Sequence, residues 1–115
     1  MFSLDYQSKI SIYEQIVNNI EKYVALGILK SKEQIPSIRD LASTLSINPN
    51  TVKKAYDILE KKGVIVTIST KGTFITENTH NVLNSKIEQS IMEISNLIDE
   101  LTKLGISKED ILKKL

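Results

Sequence analysis

Apolar residues recur along this chain in two periods, and the change from one to the other divides it. Ile12, Ile16, Ile20 and Val24 fall four apart, with Tyr13, Val17 and Tyr23 beside them. That spacing predicts an amphipathic helix with one core face. Ser11 and Glu14 have the spacing of a capping box at its start, and Gly27 marks its end. Before it, Phe2 and Leu4 alternate with polar residues in a short lead-in, a brief strand or a packed arm. Residues 28–36 read as a connector.

Ser37, with Asp40 three residues on, opens a second short helix. Its apolar face is Ile38, Leu41, Ala42 and Leu45; Arg39 and Ser43 lie off that face. A polar turn, Ser46 to Pro49, leads into a third helix. Asn48 or Asn50 can cap it, and Pro49 suits a first turn whose N–H has no partner. Val52, Ala55, Tyr56 and Leu59 form its buried stripe, which leaves Asn50, Thr51, Lys53, Lys54 and Asp57 pointing elsewhere. Lys61, Lys62 and Gly63 suit its C-terminus. Two short helices joined by so short a turn form a helix-turn-helix.

After Gly63 the pattern becomes strand-like. Residues 64–68 are rich in β-branched side chains, Ser69 to Gly72 reads as a turn, and Thr73 to Thr76 as a returning strand. A hairpin in that place is a wing, with Lys71 and Gly72 at its tip. Gly72 either permits a positive φ or lets backbone approach a phosphate. From Asn78 to Leu104 the helical period returns. Leu83, Ile87, Ile91, Ile94, Ile98 and Leu101 alternate between spacings of three and four, as in a heptad seam, with Leu97 and Leu104 widening it. Such a helix spans roughly 40 Å, too long to bury its stripe on so small a domain. The stripe therefore predicts homodimerisation. Gly105 ends this helix, and Ser107 with Asp110 caps a last short one carrying Ile111, Leu112 and Leu115. The fold class expected is mainly α with a small β-hairpin: a winged helix-turn-helix over residues 1–77, followed by a two-helix dimerisation tail over residues 78–115.

Composition changes this picture little. The chain has 115 residues, room for one compact core, or for a small domain plus an appendage. A net charge of +1 would not by itself point to nucleic acid, but its distribution does. Residues 37–72 hold six basic and three acidic side chains, whereas residues 73–115 hold five basic and seven acidic, so the positive excess lies around the third helix. There is no cysteine, hence no disulfide framework and no thiolate metal site. No membrane-spanning run or signal-peptide pattern is present, and a cytoplasmic location is expected. One histidine, His80, and no nucleophile, metal-ligand or phosphate-loop motif leave no case for an enzyme, a catalytic residue, a metal or a cofactor.

Five segments, in order, resemble the GntR family of bacterial transcription regulators, and most closely its YtrA-like branch. They are Ser11-Ile-Tyr-Glu-Gln-Ile16, Ile35-Pro-Ser-Ile-Arg-Asp-Leu-Ala42, Asn48-Pro-Asn-Thr-Val-Lys-Lys-Ala-Tyr56, Leu59-Glu-Lys-Lys-Gly63 and Lys71-Gly-Thr-Phe-Ile75. The resemblance implies a DNA-contacting role for Arg39, the chain's only arginine, and for Asn48, Asn50, Thr51 and Lys53 at the start of the third helix. It also implies that Gly72 approaches the minor groove. Lys54 joins these as an expected phosphate contact, and Lys71 at the wing tip as an expected DNA-binding residue. The branch dimerises through a short helical tail and lacks a large effector domain. This chain departs from the family at Ser31-Lys32, where a Pro-Gly pair is usual, and at Ile68, Ser69 and Thr70, where the wing usually holds more Arg and another Gly. Lys53 stands where Arg is common, so a point charge replaces a bidentate fork.

The function implied is a homodimeric, sequence-specific DNA-binding regulator, a repressor acting on a palindromic operator. Two alternatives remain open from sequence. One is a winged-helix module for replication, partition or protein binding. The other is a regulator whose dimer interface senses a small molecule, although no residue marks such an effector.

Overall fold

Helix α1 (Ile12–Ala25) buries Ile16, Val17, Ile20 and Val24, the stripe read from its spacing. The computed structural model describes residues 3–115, so Phe2 lies outside the described residues. The capping box at its start does not form. Ser11 occupies the N-cap position, but its hydroxyl is buried and makes no hydrogen bond. Gln15 ties down this end instead. Its side chain accepts from the Asp5 N–H at 2.8 Å and donates to the carbonyls of Asp5 and Ile10. The lead-in is thus a packed arm, pinned also by the Tyr6 hydroxyl, which donates to the Leu45 carbonyl.

Helices α2 (Ile38–Leu45) and α3 (Pro49–Lys61) follow, with Ser46 between them in the left-handed region. Both begin on real caps: Ser37 accepts from the Asp40 N–H at 3.1 Å, and Asn48 from the Asn50 N–H at 2.8 Å. Helices α1, α2 and α3 enclose the core, where Val52, Ala55 and Leu59 have no exposed surface. Tyr56 is buried as its spacing predicts, and its hydroxyl donates to the Pro36 carbonyl at 2.6 Å. Burial pushes this phenol well above the usual tyrosine range. The fold therefore favours the neutral phenol. That contribution is complete below the unfolded-chain value of about pH 10 and is lost as pH rises beyond it. Tyr56→Phe is expected to cost about 1 kcal/mol at neutral pH and to flatten the alkaline decline, read from Tm at neutral and alkaline pH.

The sheet has three strands rather than the two expected. β1 (Gln34–Ile35), inside the supposed connector, pairs antiparallel with β3 (Gly72–Ile75), which pairs antiparallel with β2 (Ile65–Ile68). Two residues are too few to show a period, so β1 exists only through its partner. Ile65 and Ile75, opposite each other, face the core.

Both turns where the family's glycines are missing use a residue of unusual conformation. Lys32 has φ +67° and Thr70 has φ +65°. In each, the next residue's N–H donates back three positions at 3.0 Å, Glu33 to Lys30 and Lys71 to Ile68. That arrangement asks for a positive φ at the third position, which a β-branched side chain resists. Thr70→Gly is expected to stabilise the protein by about 1 kcal/mol, the relief of strain exceeding glycine's added freedom in the unfolded chain. A Tm that fell would show that Thr70 holds the wing by contacts of its own.

Two compact units result, Met1–Leu83 and Asn84–Leu115. The boundary expected from sequence, 77/78, lies six residues earlier, because the helical period of the long helix starts there and shows no break at residue 83. In fact the start of α4 (Thr79–Lys103) belongs to the first unit: Thr79 is fully buried, and Leu83 joins the core cluster. Within the second unit, Ile98, Leu101 and Ile106 are half-buried and Ile111, on α5 (Lys108–Lys114), is buried; the other residues are exposed. The Ile106 N–H donates to the Leu101 carbonyl in the bend between the two helices. Ser107 caps α5 as its spacing predicts.

Candidate nucleic-acid interface

The chain's polar and basic candidates gather on the faces of α2, α3 and the wing that the core leaves free. The core takes one side of α3 through Val52, Ala55, Tyr56 and Leu59. With 3.6 residues per turn, Asn50, Lys53, Lys54 and Asp57 must then face outward, and all four are exposed. Thr51 is half-buried. Asn48 is exposed, but its side-chain oxygen is occupied by the Asn50 N–H, which leaves its amide group as the free donor. Arg39 sits in the first turn of α2, exposed and outside every ion pair among the described residues.

The two lysines of α3 have different surroundings. Lys53 donates to Asp57 at 2.9 Å, one turn further along. That hydrogen bond, then the carboxylate's charge, raises the Lys53 ammonium above its ordinary pKa, so it stays charged. Lys54 instead lies over the Tyr13 ring, its Nζ 3.9 Å from the centroid. Tyr13 is half-buried and packs against the core, as its place in the stripe implied. It also steers Lys54 toward α1, a relation sequence reading missed.

The wing is joined to this surface at two places. Glu60 of α3 accepts from the Thr67 N–H of β2. Gln34 of β1 donates to the Lys71 carbonyl at 3.2 Å. Gly72 has φ +124°, and a Cβ there would come within 2.5 Å of the Gln34 Nε2. Glycine is thus favoured at the wing tip by its positive φ, whereas the Gln34 amide, the free end of a flexible side chain, can move aside for a Cβ. Lys71 beside it is exposed. Ser37 and Asp40 of α2 and Gly72 and Thr73 of β3 line one open cavity of about 410 Å³, so the wing tip stands next to the N-terminal turn that carries Arg39. Gln34 escaped sequence reading, and so did the pairing of Asp57 with Lys53. Gln34 lies in a strand too short to recognise. Asp57 was visible as an i,i+4 partner of Lys53.

A helix-turn-helix closed by a β-hairpin, with polar and basic groups on the free face of its second helix, defines the winged helix-turn-helix class of DNA-binding regulators. The sequence model described as bacterial regulatory proteins, gntR family, matches residues 12–75. The chain belongs to the GntR family. It is 36% identical over 110 residues to the HTH-type transcriptional repressor YtrA of Bacillus subtilis (strain 168), covering 95% of this chain and 85% of that one. The crystal structure of a transcriptional regulator from Oenococcus oeni matches with a TM-score of 0.74 and 42% identity, over 98% of this chain and 94% of the other. YtrA from Sulfolobus acidocaldarius, a GntR-family transcription factor, matches with a TM-score of 0.63 and 32% identity, over 97% and 90%. This protein is accordingly a DNA-binding transcription regulator and not an enzyme. Among the described residues, no helix is long and apolar enough to cross a membrane.

Proposed function

We propose that the protein is a homodimeric repressor that binds a palindromic operator in the cytoplasm. Arg39, Asn48, Asn50, Thr51 and Lys53 make the contacts of the helix-turn-helix. Lys71 and Gly72 make those of the wing. Lys54 holds a phosphate from its perch on Tyr13. The observation that carries this reading is the free face of α3: a helix whose first two turns expose short polar and basic groups, entered through a capped N-terminus. Such an end suits a major groove, where N-terminal residues meet base edges and the helix dipole favours phosphate.

Dimerisation rests on α4. Ile87, Ile91 and Ile94 are 47%, 59% and 56% exposed, a row of large apolar side chains on one helix. A single chain does not leave such a row in water without cost. The expected interface is narrower than the stripe read from sequence. Leu83 is removed by its place in the first unit's core, and Ile98 and Leu101 are half-covered within the second unit. The proposed seam is therefore centred on Ile87, Ile91 and Ile94, with Ile98 and Leu101 at its margin. The relative's name, a repressor, supports the direction of regulation.

The test is selection of bound sites from random duplexes, followed by anisotropy titrations at several salt concentrations. A palindrome with half-sites roughly 34 Å apart, or a multiple of that, is expected. If each protomer neutralises about three to five phosphates, the log–log salt slope should lie near −5 to −9. Recovery of no common sequence, with a slope near zero, would sink the reading.

A further inference from the structure

The Lys53–Asp57 pair is an odd feature for a surface that meets a polyanion, because a carboxylate beside phosphates repels them. Its geometry offers a reason. Lys53 presents N–H donors and Asp57 presents acceptor oxygens, and the two head groups stand 2.9 Å apart on the exposed face of α3. Neither is withdrawn: their side chains are 61% and 51% exposed. In the major groove a G·C pair shows an acceptor, guanine O6, beside a donor, cytosine N4. Those two atoms are themselves hydrogen-bonded across the base pair, at about 2.9 Å. We propose that Lys53 and Asp57 act as one unit that reads a single G·C pair in each half-site, Lys53 donating to guanine O6 and Asp57 accepting from cytosine N4. This rests on the reading of α3 as the major-groove helix.

The pair need not break to do so. An ammonium has three donors and a carboxylate about four acceptor positions, so the bond between them survives while each engages its base. Flanking groups choose among base pairs. A T·A pair also places an acceptor, thymine O4, beside a donor, adenine N6. There, however, the ammonium would meet the thymine methyl and the carboxylate would face the lone pair of adenine N7. On G·C the ammonium gains guanine N7 as a second acceptor, and the carboxylate faces the C–H edge of cytosine. Electrostatics therefore favours G·C. Asp57 also makes Lys53 discriminating: a lone lysine is a point charge that donates to any nearby acceptor, whereas a tethered one has its position set.

The experiment is site selection with the wild type, Asp57→Asn and Asp57→Ala, followed by anisotropy against the selected operator and its single-position variants. The wild type should require G·C at one position per half-site, with a penalty of about tenfold or more for other pairs. Asp57→Ala should relax that preference at that position alone, leaving only the weaker guanine preference of Lys53, and raise affinity for unrelated DNA, since a negative charge is gone. Asp57→Asn should shift the preference toward adenine in place of cytosine, because an amide pairs with adenine N6 and N7. A merely structural role for Asp57 would alter affinity evenly and leave base preferences as they were, which overturns the proposal. So would a wild-type preference for T·A at the position that Asp57→Ala relaxes. Failure of the wild type to select any sequence would instead bring down the reading of α3 itself, and this proposal with it.

Discussion

On the proposed α4 seam, Ile91→Asp is expected to give a monomer and to weaken operator binding by about 100-fold or more, while leaving the first unit folded. The side chain is 59% exposed, so its replacement removes no core contact from the chain that carries it. In a two-fold interface the same position occurs twice, and two carboxylates would be buried against an apolar seam. An unpaired buried charge costs several kcal/mol, more than a short helical seam can offset. Loss of the dimer separates the two half-sites. The second binding event then no longer enjoys the high effective concentration that linkage provides, which is the source of the large factor. Sedimentation velocity reads the assembly state and anisotropy reads the affinity. A variant that stays dimeric would place the interface elsewhere. Ile87→Asp and Ile94→Asp should behave alike. Leu83→Asp should differ, unfolding the first unit, because Leu83 is part of its core.

Arg39→Ala should lower operator affinity by about 10- to 100-fold per half-site without moving Tm, since an Arg that reaches DNA is worth about 1–3 kcal/mol. The structure explains why stability is spared. Arg39 is exposed, makes no ion pair among the described residues, and the cap of α2 rests on Ser37 and Asp40 rather than on it. On the proposed palindrome the contact occurs twice, so a dimer should lose both. Arg39→Lys should restore the charge but only part of the affinity, because a point charge replaces a planar fork. Equal operator affinity for Arg39→Ala and wild type would remove Arg39 from the interface. A loss matched by a fall in Tm would show a structural role instead.

How much of this was legible beforehand varies by element, for physical reasons. The helices α1, α2 and α3 and the β2–β3 hairpin could be read directly. Each helix buries one continuous face, and a face that must be buried writes its period into the chain; the hairpin was marked instead by its β-branched runs and turn, since β2 buries only Ile65. The caps of α2, α3 and α5 were legible for a related reason: capping is local, a side chain meeting an N–H two or three residues away. Ser11 shows the limit of that rule. Its spacing to Glu14 is right, yet the arm over the start of α1 is held by Gln15, and no local pattern announces a bond ten residues distant.

The exposed face of α3 followed from sequence by subtraction, since whatever the core stripe does not claim must face water. What those exposed groups touch did not follow. Lys54 over Tyr13, Gln34 against Gly72 and Glu60 on Thr67 join residues from different elements. Such contacts depend on how the elements are packed, which no single period encodes. The same holds for β1, which is a strand only because β3 lies beside it. The apolar stripe of α4 marks the general case. Sequence alone determined that those side chains seek burial. Only the tertiary structure decided that Leu83 finds it in the first unit's core and that Ile98 and Leu101 are half-buried, while Ile87, Ile91, Ile94, Leu97 and Leu104 stay exposed. Hydrophobicity is a property of the residue, whereas the surface that satisfies it is a property of the fold.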